Sequence, residues 1–342
     1  MLSSFNVLNS ANLRVKKNNN RVYAITLNPV SLDTTVSKAS CITAGNDIYV
    51  CYDTKLFKSS DGGSNWTVIT NLYDSLSFTN FNSVSSNGTY IAVGTNPANT
   101  SYSGMRISTD GGNTWNLKLL DRAVIYPKGI MINSNKLFMG VFSSLSTDTG
   151  YHYTYLPNTT LTRISKTTNN TVINSTLCLC GNDDMTLLYA GSSGGKIHKI
   201  TWTGDVPLVE DGVIVVPGVS LSVRAIACSS DCSIIYCCPI SNTASPNGRV
   251  YKSTNLGVSY SILPNSPIST NSLNHWRSLC CSSDGNIVVG CISNQGIYAS
   301  LDSGNTWISY LTSTNPWVDL SITNDGTKFV ACGDTTYIGT LW

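Results

Sequence analysis

The chain has 342 residues, of which 21 are Lys or Arg and 19 are Asp or Glu, so its formal net charge is +2. Charged residues make up only 12%, about half the usual share of a soluble domain, whereas Ser, Thr and Asn together number 119. That balance excludes electrostatic nucleic-acid binding, which needs a basic excess, and a hydrophobic fraction of 41% argues against disorder.

No apolar run approaches the roughly 18–20 residues of a membrane span. The opening MLSSFNVLNSANLRVKKNNN lacks the basic-then-apolar order of a signal peptide, so synthesis in the cytoplasm is expected. Residues 1–20 are read as an N-terminal arm and residues 21–342 as one domain, beginning with a strand over RVYAITL (Arg21–Leu27). Seven short turn signals then follow, each between two apolar runs: Gly45-Asn46, Asn87-Gly88, Ser134-Asn135, Asp183-Asp184, Asp231-Cys232, Asp284-Gly285 and Asp325-Gly326. Asn-Gly and Asp-Gly pairs in that setting predict hairpins. The runs after them, such as TYIAVG, KLFMGVF, NIVVGC and KFVACG, are rich in β-branched and aromatic residues and too short for helices.

A second periodic feature interleaves with the first. SSDGGSNW (Ser59–Trp66), STDGGNTW (Ser108–Trp115) and SLDSGNTW (Ser300–Trp307) share one pattern, and STNLGVSY (Ser253–Tyr260) is a weakened copy. All four fit S-x-D/N-x-G-x-x-W/Y; the units near Tyr155 and Trp202 lack it. Each unit can be written as four strands, as in WRSLCCSS, NIVVGCIS, GIYASL and TWISYL. A period of about 40–50 residues with four strands per unit is the mark of a β-propeller blade. The last unit supplies only WVDLSIT, TKFVACG and TYIGTLW, so its outer strand is expected from Arg21–Leu27, which closes the ring. The fold class is therefore all-β, a single seven-bladed propeller; six or eight blades are the alternatives while residues 1–20 stay unassigned.

The repeated turn resembles the Asp-box (BNR) repeat of sialidases, xyloglucan-degrading enzymes, sortilin-type receptors and photosystem II assembly factors. The matching positions are Ser59, Asp61, Gly63 and Trp66; Ser108, Asp110, Gly112 and Trp115; Ser253, Asn255, Gly257 and Tyr260; and Ser300, Asp302, Gly304 and Trp307. The resemblance implies that each box joins the third and fourth strands of its blade. The Asp would then accept N–H groups of its own turn, the Gly would take positive φ, and the aromatic ring would pack between blades. The boxes are expected to be structural, neither metal sites nor catalytic carboxylates.

The search for chemistry is mostly negative. Catalytic sialidases of the resembled family use three arginines, a Tyr–Glu pair, an acidic proton donor and an Arg-Ile-Pro motif. This chain has no Arg-Ile-Pro, and Glu is nearly absent, with Glu210 in a loop-like stretch. His152, His198 and His275 are scattered, no G-x-S-x-G or P-loop occurs, and SGGK at Ser193–Lys196 reads as a tight turn. The twelve cysteines form no zinc-type clusters and sit in apolar runs, as reduced thiols in a core do. Six N-x-S/T sequons, at Asn65, Asn87, Asn99, Asn158, Asn169 and Asn174, are read as incidental.

What remains is the face opposite the boxes, with long loops at Thr95–Gly104, Ser143–Tyr151 and Pro239–Gly248. The starts of the inner strands bring Lys128, Arg224, Trp276, Arg277 and Trp317 toward the channel mouth, with Arg224 and Arg277 each seven residues ahead of their turn Asp. Such cations beside indole rings could hold an anion or stack on a sugar, or else pair with Asp319 or Asp121. The expected function is a non-catalytic scaffold for a protein or glycan partner, without cofactor or metal. Its polar, weakly charged composition also suits a component of a virus particle or other large assembly. The alternative is a divergent glycoside hydrolase acting at the mouth, which needs two carboxylates there.

Overall fold

In the computed structural model the described residues are 16–18, 21–23, 25–30, 32, 37–43, 45–70, 72, 78–97, 104–120, 125–143, 149–158, 160–215, 222–240, 248–268 and 275–341. They form seven antiparallel sheets of four or five strands around a common axis, together with a two-stranded ribbon, Lys16–Asn18 against Arg21–Tyr23. The inner strands of blades 1 to 7 are Ser37–Ile42, Phe78–Ser86, Ile125–Ile132, Thr176–Gly181, Ser222–Cys228, Trp276–Cys281 and Asp319–Ile322. Each touches the next, and the seventh returns to the first. The fold is a seven-bladed β-propeller.

The second and third strands of a blade are buried on both faces. Ile48–Tyr52, Ile235–Ile240, Val288–Ile292 and Gly296–Ser300 are covered along their whole length. This explains why they appear in the sequence as continuous apolar runs rather than alternating ones. Cores lie between blades: one joins Tyr49 and Leu56 of blade 1 to Phe81 and Val93 of blade 2. None of the cysteines whose side chains are described is in a disulfide.

Closure of the ring differs in register from the sequence expectation. The outer strand of blade 7 is Ile25–Val30, paired with Thr336–Leu341 from Ile25↔Leu341 to Val30↔Thr336. The run Arg21–Leu27 therefore splits, and its first three residues belong to the small ribbon. Leu27 fits this register because it is buried in one cluster with Trp317, Phe329 and Leu341. Pro29, which cannot donate to a ladder, is tolerated because the strand is outermost.

All seven predicted A–B turns link the first and second strands of their blades, and the four S-x-D/N-x-G-x-x-W/Y turns link the third and fourth. The latter are built alike. In the first, Ser59 Oγ donates to Asp61 (2.8 Å) and accepts the Gly63 N–H (2.8 Å), while Asp61 accepts the Asn65 N–H (2.8 Å). Trp66 Nε1 donates back to the Gly63 carbonyl (2.9 Å), and its ring packs against the core shared by blade 1 (Ile48, Phe57) and blade 7 (Val330, Ile338). The degenerate copy keeps the geometry with an amide: Asn255 Oδ1 accepts from Ser253 Oγ (2.9 Å) and the Ser259 N–H (3.0 Å).

Candidate functional site

A bulge near the start of each inner strand generates the site. In blade 5 the ladder steps from Val223↔Pro239 to Ala225↔Cys238, leaving Arg224 as an extra residue. Blade 6 does the same at Arg277, blade 4 at Leu177, blade 2 at Asn82 and blade 1 at Lys38. Blade 3 sets Lys128 and Gly129 against one partner residue. In blade 7 the Val318 N–H reaches the carbonyl of Cys332, which is already the ladder partner of Asp319. A bulged residue is released from the alternation of the pleat and can be re-aimed. In blades 2 to 7 the residues at these positions line the central channel, on the half away from the A–B and S-x-D/N-x-G turns.

The result is a cavity of about 480 Å³ whose wall includes residues of all seven inner strands. One arc is cationic, with Lys128 of blade 3, Arg224 of blade 5 and Arg277 of blade 6 around the apolar Leu177 of blade 4. The opposite arc is neutral or acidic. Asp319 of blade 7 accepts the Ser40 N–H at 2.9 Å, and Asn80, Asn82 and Asn96 of blade 2 are chained by side-chain hydrogen bonds, with Asn96 Nδ2 donating to Asn80 Oδ1 at 2.6 Å.

None of the three cations makes a hydrogen bond or an ion pair with a described residue. Arg277 Nε is buried without a partner, and the ion pairs among described residues lie elsewhere, at Lys58–Asp47 and Lys199–Glu210. Lys128 is open to solvent, yet it stands inside a ring of protein that keeps most water away. This desolvation, followed by repulsion from Arg224 and Arg277, pushes its pKa down, and Asp319 offsets only part of the effect. Desolvation and Arg224 likewise lower the pKa of Arg277. Asp319 is raised to about 6, chiefly by burial, against the Ser40 N–H and the Ser278 hydroxyl, which favour its ionised form.

The two indoles expected at the mouth are not there. Trp276 is fully buried, its Nε1 donating to the Gly248 carbonyl (3.2 Å) and its ring against Trp307 at 5.7 Å. Trp317 is also fully buried and packs on Tyr337 at 5.5 Å. The same bulges account for this: once Arg277 and Asp319 face the channel, the residues before the extra position face the inter-blade core. Asp319 and the asparagine chain were not singled out as site residues by the sequence reading. Residues 98–103, 144–148 and 241–247, the greater part of the three long loops, lie outside the described residues, as does Asp121.

Among the described residues this wall carries a single carboxylate and no group of three or more His, Cys, Asp or Glu side chains able to hold a metal ion. Nor, among the described residues, is any helix long and apolar enough to cross a membrane. No protein-family description matches the chain, and no curated protein is significantly similar to it. Solved structures do match. YCF48 bound to a D1 peptide superposes with a TM-score of 0.64 at 16% identity, covering 92% of this chain and 96% of that one. YCF48 from Cyanidioschyzon merolae gives 0.63 at 16% identity over 92% and 98%. A chain of the mitotic checkpoint complex gives 0.66 at 10% identity over 100% and 97%. At these identities the likeness is one of fold.

Proposed function

We propose that the chain is a non-catalytic propeller of the Asp-box type that holds a protein or glycan partner over the face where its inner strands begin. The observation that carries this reading is the arc of three cations, each without a partner, around one end of the channel. Crowding three unpaired cations at one channel mouth costs stability through their mutual repulsion, and a ligand that neutralises them recovers that cost. Solved neighbours support the partner class: one is a propeller bound to a peptide and another belongs to a multiprotein complex. The lone carboxylate speaks against glycoside hydrolysis, which takes two. The polar, weakly charged composition supports assembly into a larger particle.

The test is binding to arrays of acidic peptides and anionic glycans by the parent and by Lys128→Gln/Arg224→Gln/Arg277→Gln. Specific binding that the triple variant loses is the expected result. Equal binding by both proteins would overturn this reading. Turnover of a chromogenic glycoside panel, abolished by Asp319→Asn, would replace it with the hydrolase.

A further inference from the structure

The two arcs of the mouth differ in a way that specifies a ligand more narrowly than charge alone. Three cationic side chains converge from three blades, and one carboxylate opposes them, so the wall has a net charge of +2. An anion seated there is matched best by two negative charges and by several acceptor oxygens pointing to different blades. A carboxylate has one charge and two oxygens. A phosphate monoester carries about −1.5 to −2 at neutral pH and presents three acceptor oxygens.

Across the channel, donors and acceptors alternate. Asp319 can accept, while the amides of Asn80, Asn82 and Asn96 can both give and accept. Their existing chain uses one proton each of the Asn82 and Asn96 amino groups and leaves the others for a ligand. Hydroxyl groups, which are donor and acceptor at once, suit such a surface. Among the described residues no aromatic ring is exposed there for stacking, because Trp276 and Trp317 are fully buried and so is Phe81 of the wall. A volume of about 480 Å³ falls in the usual range of small-molecule sites, roughly 300–1,000 Å³.

We propose that the channel mouth binds a small phosphate monoester with a hydroxylated body, the phosphate on Lys128, Arg224 and Arg277 and the hydroxyls on Asp319 and the asparagine chain. This goes beyond the scaffold reading and rests on it only in taking the mouth as a binding site. The mutual repulsion of the three cations then has a role, since the bound phosphate neutralises it.

Titration calorimetry with glucose 6-phosphate, inorganic phosphate and glucose as probes tests the proposal. Glucose 6-phosphate is expected to bind at least about tenfold tighter than inorganic phosphate, with no measurable binding of glucose. Arg224→Gln/Arg277→Gln should lose at least about tenfold in affinity for both phosphates. Asn82→Ala should lose the preference for the sugar phosphate while keeping the affinity for inorganic phosphate. Lys128→Gln, at a solvent-open position, guards against a double variant that misfolds and should weaken both phosphates. Equal affinity of the parent and the cation variants, no binding of any probe at millimolar concentration, or no preference for the sugar phosphate would each overturn the proposal. If array partners still bind under those outcomes, the scaffold reading stands without it.

Discussion

Within the repeated turn, the roles of two residues of the pattern can be separated by substitution. Asn255 Oδ1 accepts the same two bonds as Asp61 Oδ1, and its amide donates to Ser259 where Asp61 Oδ2 accepts from Asn65, so the turn keeps its geometry without the charge. Asp302→Asn should therefore change stability at neutral pH by less than about 0.5 kcal/mol. Gly304→Ala is a different case, because φ there is +90° and an added Cβ would lie 2.5 Å from Leu263 Cδ1 of the previous blade. Backbone strain and overlap should together cost about 1–3 kcal/mol, seen as a lower midpoint in thermal unfolding. Protonating the Asp differs from replacing it with an amide, because the acid must place a proton where the turn offers donors to both oxygens. The Asn65 N–H and its side chain hold Asp61 down at about 2, and hydrogen bonds from Ser229 and Ser233 do the same for Asp231. The stability these carboxylates add is present above their ordinary pKa near 4 and is lost as pH falls toward 2. Asp319 has the opposite sign. Its folded pKa of about 6 lies above its unfolded value, so ionisation works against the fold and the penalty grows as pH rises from about 4 to 6. Asp319→Asn should be more stable than the parent by about 1–2 kcal/mol at pH 7.5 and no more stable at pH 4. Urea unfolding at the two pH values measures the difference; an equal gain at both would assign it to packing instead.

Turns and bulges, the two devices that shape each blade, were not equally legible in the sequence. A hairpin turn is specified by its own residues, through the positive φ of a glycine and the acceptors of a nearby Asp or Asn, so all seven A–B turns and all four repeated turns were visible in one dimension. A bulge is defined by two residues facing one on another strand, and the partner lies some ten residues away. Its consequences therefore escaped a reading by strand alternation. Lys128, Arg224 and Arg277 were found at the starts of their inner strands, the two arginines also by their equal distance to the turn Asp, whereas Trp276 and Trp317 were placed on the wrong side. The outer strand of blade 7 was displaced for a related reason, since β-rich composition marks a strand but not its register, which here buries Leu27 in a core. The far ends of the inner strands carry a different chemistry. Cys180, Cys228 and Cys281 lie there on consecutive blades, and Cys228 and Cys232 bring their sulfurs to 3.5 Å. Burial first of all lifts Cys180 to about 11 and Cys281 to about 12, so thiolate is scarce at neutral pH. Ellman's reagent should accordingly find almost none of the described thiols reactive in the native protein at pH 7.5 and all of them after unfolding in guanidinium. Rapid labelling of the folded protein would show that these blades open.

At the scale of the whole molecule, the inner strands crowd cations around an axis, and the ring must resist that repulsion. Blades pack only against their two neighbours, so a closed ring has no weak end, whereas an open one has two. Closure here depends on six residues, Ile25–Val30, which cover the edge of Thr336–Leu341 and place Leu27 beside Trp317, Phe329 and Leu341. Leu27→Ala should cost about 2–4 kcal/mol, the ordinary price of a buried leucine. Removing residues 1–30 should do more than add up to that cost. It uncovers a strand edge whose free N–H and C=O groups are a template for another chain, and it opens the core around Trp317 to water. The truncated protein is expected to unfold at a markedly lower temperature and to elute from size exclusion as dimers or larger species, with the elution volume depending on concentration. A monomer with an unchanged midpoint would mean that the ring is held by contacts between the inner strands of blades 7 and 1 alone. Arg277→Met separates the second demand, that of charge. It removes one of three crowded cations without touching the closing strand, and should raise the midpoint by up to about 2 °C while weakening phosphate at the mouth. A gain in stability together with a loss of binding is the signature of a site kept for a ligand, and a loss of both would make Arg277 part of the frame.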